Sequence, residues 1–326
     1  MFNKLPKIEL HCHLDGSVRA ETIIDIAKKE NVNLPIYDKE ELRKHISIIE
    51  NCECLDEYIE KFDLTNLVMQ NKYGLERIAY EVLEDASLEN VKYIEIRFAP
   101  QLHRLNGLNY DEIIQSVING VKKAEKDFDI KGNVIISTMR HMSEESGMEV
   151  IEVAKKYLGK GVVAFDMAGK EDEGFCITYN NLIKKAKEEN FNITLHAGEQ
   201  ASYKNVIDAI NLGATRIGHG IKIINSKETM DLVKEKNILL EMCPTSNIQT
   251  SNASDYVTYP FKKFLDYGIV ASLNTDNRTV SNITLTKEYE NIFNTLDFDL
   301  YKRNYLETVN ASFSNEETKD WLRKFI

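Results

Sequence analysis

Residues 192–219 read NITLHAGEQASYKNVIDAINLGATRIGH, and this stretch contains the repeating unit that decides the fold. A short apolar run at Asn192–His196 is followed by a segment of helical pattern and then by a second short run at Arg216–His219. Alternation of this kind predicts β-α units and a parallel sheet. Polar residues such as His196 and His219 then fall at the carboxyl ends of strands.

The same alternation continues in both directions and gives eight candidate strands. They are Ile8–His11, Tyr93–Phe98, Asn133–Thr138, Val162–Asp166, Asn192–His196, Arg216–His219, Ile238–Met242 and Ile269–Asn274. Eight parallel strands close a barrel. The sequence therefore predicts an α/β fold, a (β/α)8 TIM barrel, with residues 1–326 as a single domain.

The connection between the first two strands is long for one crossover. It carries helical patterns at Glu21–Glu30 and Tyr58–Glu89, of which only the last is needed to reach strand two. We expect the rest to be a helical insertion over the barrel mouth, where substrate lids usually lie. Two apolar stripes at helical spacing are clearest. They comprise Leu75, Ile78, Ala79, Val82, Leu83 and Ala86, and Ile113, Ile114, Val117, Ile118 and Val121.

Composition excludes several classes of protein. The net charge of -11, with no basic cluster, argues against nucleic acid and anionic membranes as partners. The amino-terminal MFNKLPKIEL has no apolar stretch of signal-peptide length, and no run approaches the ~20 residues that span a bilayer. An odd number of cysteines without regular spacing indicates reduced thiols and a cytoplasmic location. They are Cys12, Cys52, Cys54, Cys176 and Cys243.

Four of the seven histidines fall at predicted strand ends, which is where barrel enzymes carry their active sites. His11 and His13 share one face of strand one, because residues two apart in a strand point the same way. His196 and His219 end strands five and six, and Asp276 follows strand eight. Each alone could be a rim residue that makes a hydrogen bond. Together, three imidazoles and one carboxylate suit a zinc ion with an open position for water.

Two further patterns bear on this site. Strand four has no Lys or Glu at its very end, which favours one metal ion over a bridged pair. Glu95, Arg97 and Glu241 interrupt strand interiors, where a buried charge is costly unless it is paired. Either these side chains support the polar rim, or the predicted register is wrong.

Several motifs resemble the adenosine deaminase family of amidohydrolase barrels, in family order across nearly the whole chain. They are LHCHLDGS at 10–17, RIAYEVLEDASLENVKYIEIRFAPQLH at 77–103, FDMAGKE at 165–171, TLHAGE at 194–199, RIGHGI at 216–221, EMCPTSN at 241–247 and SLNTDNR at 272–278. The ordered set is highly specific. The resemblance implies zinc-dependent hydrolytic deamination of adenosine, and of 2′-deoxyadenosine, to inosine and ammonia in purine salvage.

The resemblance also implies roles for matching positions. The implied ligands of one zinc ion are His11, His13, His196 and Asp276. Glu199 would donate a proton to the purine ring, and His219 would orient the attacking hydroxide and assist its formation. Gly169 would offer a backbone hydrogen bond to the purine, and Asp15 would hold a ribose hydroxyl group.

One departure concerns the residues after Asp276. Many family members carry a second aspartate that contacts purine N7, whereas this chain has Asn277, whose amide can still donate a hydrogen bond. Arg278 replaces a more usual proline and has no assigned role. The expected partner is thus a small purine nucleoside, with the oligomeric state left open.

Three alternatives remain at this point. Adenine, AMP or an N6-modified nucleoside could be the substrate, although Asp15 favours a ribosyl group and no basic cluster is present to hold a phosphate. A zinc barrel could instead cleave an ester, amide or phosphoester, since fold does not fix chemistry. A non-catalytic nucleoside-binding protein is the third alternative, although it need not keep every catalytic group.

Overall fold

Eight parallel strands form one sheet in sequential order β1 to β8 in a computed structural model of the chain, which describes residues 2–49, 52, 55–293 and 297–326. The strands are β1 (Lys7–His13), β2 (Val91–Phe98), β3 (Lys131–Met139), β4 (Val162–Ala168), β5 (Asn192–Ala197), β6 (Arg216–His219), β7 (Leu239–Met242) and β8 (Ala271–Leu273). A parallel bridge between Cys12 and Asp276 brings the last strand back to the first. The predicted TIM barrel is confirmed.

Helices cover the outside of the sheet and fill the long connection after β1. They are α1 (Ala20–Glu30), α2 (Lys39–Ile46), α3 (Leu55–Glu60), α4 (Asp63–Val68), α5 (Lys72–Leu88), α6 (Tyr110–Asp127), α7 (Glu144–Ala154), α8 (Phe175–Thr178), α9 (Asn180–Glu188), α10 (Lys204–Asn211), α11 (Lys227–Glu235), α12 (Pro244–Gln249), α13 (Phe261–Tyr267), α14 (Leu285–Ile292), α15 (Phe298–Ala311) and α16 (Glu316–Arg323). Within the described ranges, no helix combines the length and apolar character needed to cross a membrane.

The two apolar stripes lie on α5 and α6, and every residue of both is buried. Helix α6 begins where Asn109 and Glu112 form a reciprocal capping box, which satisfies backbone N–H groups at the helix start. Burial of these stripes against the strands encloses the core, as the helical periodicity predicts.

Strand ends differ from their predicted positions by up to two residues. Strand β1 continues to His13 because His13 still pairs with Arg97 of β2. Strand β8 is shorter than predicted, since its register pairs with β7 end at Leu273. Apolar composition marks the buried strand centre, whereas the last paired residue depends on the neighbouring strand.

The connection after β1 contains five helices, where the sequence indicated at least two helical patterns: α1 matches Glu21–Glu30, α2 carried no prediction, and the Tyr58–Glu89 pattern is not one helix. Helices α3, α4 and α5 divide it. Helix α5 begins anew at Lys72 because the Asn71 side chain accepts a hydrogen bond from the N–H of Gly74 and so caps a helix start. Sequence periodicity alone does not register this break.

The insertion contacts the loops that follow β7 and β8. The backbone N–H of Ile48 donates to Val280 O at 2.7 Å, and that of Cys52 donates to Gln249 O at 2.9 Å. The hydroxyl groups of Tyr58 and Ser281 are 2.6 Å apart. The insertion therefore covers part of the carboxyl-terminal mouth of the barrel, as expected, while Cys54 lies outside the described residues.

Candidate metal centre and active site

The four predicted metal ligands converge at the barrel mouth. Strand β1 supplies His11 and His13, β5 supplies His196, and Asp276 lies three residues beyond the end of β8. One ligand atom from each of the four lies within 4.8 Å of all the others. Asp276 Oδ1 is 3.2 Å from His11 Nε2 and 3.3 Å from His13 Nε2. Side chains far apart in the sequence thus form one cluster.

Two of these imidazoles are oriented by buried carboxylates behind them. His11 Nδ1 lies 2.9 Å from Glu241 Oε2, and His196 Nδ1 lies 3.0 Å from Asp166 Oδ2. Because a carboxylate only accepts hydrogen bonds, each Nδ1 carries the proton and each Nε2 presents a lone pair to the cluster. This is the usual arrangement of histidines that bind a metal.

The donor set fits a cation between these side chains. His13 Nε2 and His196 Nε2 face each other at 3.1 Å, which places two potential lone pairs in opposition. His11 Nε2 is buried without a hydrogen bond of good geometry. A zinc ion satisfies nitrogen lone pairs and a carboxylate of this kind in one tetrahedral set with an open position.

A second group of candidate ligands shares two members with the first. It comprises His11, His219, Cys243 and Asp276. The Cys243 thiol already donates its proton to the backbone carbonyl group of Glu241, with Sγ 3.6 Å from the oxygen. Metal binding requires the thiolate. The cluster of three histidines and Asp276 is therefore the better site.

The charged residues inside the strands, Glu95, Arg97 and Glu241, belong to a buried network of ion pairs beneath the candidate metal ligands. Arg97 donates to Glu241 at 2.6 Å and to Asp166 at 3.1 Å. Arg216 donates to Glu241 at 2.7 Å and to Glu95 at 2.6 Å. Each charge is paired, which offsets the cost of removing it from water. The charged side chains inside the strands therefore support the candidate site, which was the first of the two alternatives, and they do not indicate an error in the predicted strand register.

We expect Asp166→Asn to weaken zinc binding by ~10–100-fold, because the neutral amide is a poorer acceptor for His196 Nδ1. Competition with a chromogenic chelator measures the affinity. Asp320→Asn on α16, whose side chain is 69% exposed, is the matched control. An Asp166→Asn affinity equal to that of the control would show that this carboxylate does not tune the ligand.

Glu199 follows β5 in a loop that a second glutamate holds. Glu171 accepts hydrogen bonds from the backbone N–H groups of Gly198, Glu199, Gln200 and Ala201 at 2.7–3.1 Å. Burial, with the charges of Asp276 and Glu171 next in size, raises the pKa of Glu199 to about 8. The side chain is therefore a carboxylic acid at neutral pH. Glu171 carried no predicted role, although it ends the FDMAGKE motif.

His219 ends β6 and faces Glu199, with Nε2 3.7 Å from Glu199 Oε2. Its backbone φ is +63°, and that of Asp276 is +60°. Non-glycine residues rarely adopt the left-handed region, and such strain concentrates at functional sites. Asn247, which had no predicted role, contacts both Glu199 and His219.

The predicted substrate-binding residues lie on three different loops. Asp15 is buried in the short 3-10 helix Asp15–Ser17 after β1, and its Oδ1 has no hydrogen-bond partner. Asn277 Nδ2 donates to the Tyr58 hydroxyl group at 3.0 Å. A Cβ atom on Gly16 would overlap Asn277 Oδ1, so the loops of Asp15 and Asn277 are in direct contact.

Gly169 directly follows β4 with φ +94°. Its carbonyl group accepts from Arg140 at 2.7 Å, and Arg140 also donates to His196 O. This shared guanidinium links the carbonyl group of Gly169 to the backbone of His196, one of the candidate metal ligands.

Arg278 is occupied by carboxylates. It donates to Glu9 Oε2 at 2.8 Å and also to Glu89 Oε1. Both partners are buried. The residue that replaces the usual proline is thus part of an internal ion-pair group that joins β1 to the end of α5.

The family model described as adenosine deaminase matches residues 6–326. The chain belongs to the adenosine deaminase family. A curated relative named adenosine deaminase, from Clostridium botulinum (strain Okra / Type B1), is 54% identical over 328 residues, which cover 100% of this chain and 98% of the relative.

Solved structures share the fold. The adenine deaminase of Arthrobacter aurescens is 23% identical, with a TM-score of 0.89 and coverage of 98% of each chain. A zinc-bound Burkholderia ambifaria amidohydrolase is 23% identical, with a TM-score of 0.86 and coverage of 99% of this chain and 90% of that one. The Arabidopsis N6-mAMP deaminase is 28% identical, with a TM-score of 0.86 and coverage of 99% and 98%. Proteins with this fold are thus named for different purine substrates, here adenine and N6-mAMP.

Proposed function

We propose that this enzyme uses one zinc ion to convert adenosine and water to inosine and ammonia, with 2′-deoxyadenosine as a second substrate. The observation that carries the proposal is the convergence of His11, His13, His196 and Asp276 beside Glu199, a buried carboxylic acid. Identity of 54% to a full-length adenosine deaminase supports this choice of substrate.

His11, His13, His196 and Asp276 would hold the zinc ion. Zinc, when bound, acts as a Lewis acid that activates water at neutral pH. The zinc-bound amidohydrolase with the same fold supports this choice of metal, as does the fit of the donor set.

The protein's own residues would manage the protons. Addition of water at C6 pushes electron density onto N1 of the purine, and Glu199 as a carboxylic acid donates a proton there. His219, beside Glu199, orients the attacking water. One proton of the added water would pass to the amino group, so that ammonia departs from C6 and the aromatic ring is restored. The other water proton would return to Glu199, which leaves inosine and the acid form of the enzyme.

Asp15, Gly169 and Asn277 would position the nucleoside. The unpartnered Asp15 Oδ1 can accept a hydrogen bond from a ribose hydroxyl group. An amide nitrogen has two N–H groups, so Asn277 can donate one to Tyr58 and the other to purine N7. A neutral amide donates at any pH, whereas an aspartate would have to be protonated to do so.

The cellular setting belongs to the same proposal. A net charge of -11 disfavours nucleic-acid partners, and the buried thiols of Cys12, Cys176 and Cys243 are compatible with a reducing cytoplasm. We therefore propose purine salvage in the cytoplasm.

The test is ammonia release from adenosine, 2′-deoxyadenosine, adenine, AMP and N6-methyl-AMP, with zinc content measured on the same sample. We expect adenosine to exceed adenine by ~10²-fold or more in kcat/KM, because adenine leaves the Asp15 contact unmade. A higher kcat/KM for adenine or for either nucleotide would replace the proposed substrate. Zinc-loaded protein with no turnover on any of them would exclude deamination of these purines.

A further inference from the structure

Asn247 is a fully buried side chain on α12 that contacts both proton-handling groups of the proposed reaction. Its Nδ2 lies 3.0 Å from His219 Nδ1 and 3.2 Å from Glu199 Oε1. Neither the metal cluster nor the substrate contacts described above use this residue. A single amide group therefore bridges Glu199 and His219 through Glu199 Oε1 and His219 Nδ1.

The hydrogen bonds of Tyr259 determine which way this amide points. The Tyr259 hydroxyl group donates to Asn247 Oδ1 at 2.8 Å. Because the Tyr259 side chain is buried, its hydroxyl proton needs an acceptor, which Asn247 Oδ1 provides. The flipped amide would offer it only an N–H group and would leave a buried donor unsatisfied.

The helix that carries Asn247 is itself fixed. Glu288 Oε1 accepts the N–H of Thr245 in the first turn of α12. The Asn247 carbonyl group accepts from the N–H groups of Asn252 and Ala253 at 2.8 and 2.9 Å. Asn247 thus presents its N–H groups from a held backbone.

This orientation determines where His219 carries its proton. A ring nitrogen that accepts a hydrogen bond holds a lone pair, so Nδ1 is unprotonated and neutral His219 has its proton on Nε2. By the same reasoning, Glu199 Oε1 accepts from Asn247, which leaves the acid proton on Oε2. At 3.7 Å, Nε2 and Oε2 are too far apart to bond to each other, and both face the site as donors.

We propose that Asn247, oriented by Tyr259, is a positioning residue that fixes His219 as the Nε2–H tautomer and holds Glu199 Oε2 ready to donate. His219 then directs the attacking oxygen by donating a hydrogen bond to it, and it does not begin as the proton acceptor. This catalytic consequence rests on the proposed function, whereas the tautomer is a property of the protein itself.

The first experiment reads the tautomer directly. Long-range proton–nitrogen NMR correlation of zinc-loaded, ¹⁵N-histidine-labelled protein distinguishes the two neutral tautomers, and the spectrum of His219→Gln identifies the His219 signals. We expect Nε2–H in the wild type. In Asn247→Asp, the carboxylate accepts only, so His219 should switch to Nδ1–H. A wild-type Nδ1–H signal would overturn the proposal.

The second experiment measures the kinetic consequence. We expect Asn247→Asp to lower kcat by roughly 10²-fold with KM changed by less than about threefold, because Asn247 acts on proton transfer and not on nucleoside contacts. Tyr259→Phe keeps the ring but releases the amide, so it should show a mixture of tautomers and a smaller loss of kcat. Zinc content and thermal unfolding identify any variant that has misfolded.

The outcomes separate the two proposals. If wild-type His219 shows the Nε2–H tautomer but no purine is deaminated, the structural claim about His219 stands and the proposed function is excluded. Wild-type kcat in Asn247→Asp with a switched tautomer would mean that Asn247 has no positioning role in the reaction. Retention of Nε2–H in Asn247→Asp would show that another group fixes the imidazole.

Discussion

Replacement of Glu199 by glutamine will lower kcat by at least ~10²–10⁴-fold, the usual contribution of general acid–base catalysis. The amide keeps the size of the side chain but has no acidic proton to give to purine N1. Zinc content and the unfolding temperature should stay at wild-type values, because Glu199 is not among the candidate ligands. Initial rates of ammonia release give the loss.

The pH profile of the wild type tests the same role. A carboxylic acid with its pKa raised to about 8 is protonated below that pH, so kcat/KM should hold through neutral pH and fall as the pH rises past about 8. Glu188→Gln on exposed α9 is the matched control and should reproduce the wild-type rate and profile. Near-native turnover in Glu199→Gln would remove Glu199 from the mechanism.

Removal of zinc will abolish deamination, and restoration of one zinc ion per chain will recover it. The ion would satisfy the lone pairs of His13 and His196, whose Nε2 atoms lie 3.1 Å apart, and without zinc no Lewis acid activates water. Dialysis against a chelator, metal analysis and rate measurement on one sample follow both quantities together.

A mock dialysis without chelator controls for loss of protein. Magnesium, which prefers six oxygen ligands, should not replace zinc in a site of three imidazoles and one carboxylate. Full activity of protein shown to be free of metal would contradict the proposed chemistry.

The barrel and the convergence of the candidate metal ligands could be predicted from the sequence because both follow local rules. A buried parallel strand reads as a short apolar run, and active-site residues of this fold stand at the carboxyl ends of strands. The spacing of His11 and His13 alone predicts that their side chains point to the same face of strand one. His196, His219 and Asp276 followed from the predicted strand ends, and the choice of His196 over His219 as a ligand came from the resemblance to the adenosine deaminase family.

Other parts of the site depend on loop conformation and could not be predicted in this way. Glu171 matters because four backbone N–H groups of a later loop turn toward it. Asn247 matters because α12 brings it against a histidine and a glutamate from two different strands. Glu171 and Asn247 end the motifs FDMAGKE and EMCPTSN, but membership of a motif does not specify which groups a side chain contacts. The left-handed backbone of His219 is equally invisible to a pattern of residue types.

The insertion shows the same limit. Its apolar spacing predicts helices, but the division into α3, α4 and α5 depends on the Asn71 cap. Its position over the mouth depends on several contacts with the loops after β7 and β8, among them the hydrogen bond between Tyr58 and Ser281. Individual hydrogen bonds of this kind leave little trace in sequence periodicity.

The shared guanidinium of Arg97 has a consequence for how this family can diverge. Asp166 and Glu241 orient different imidazoles, yet both bind Arg97. A substitution at either carboxylate therefore changes the charge balance around the other, and the two positions should show strong epistasis. Replacements of Asp166 and Glu241 that are tolerated together would fail singly, so we expect these two positions to change as a pair during evolution.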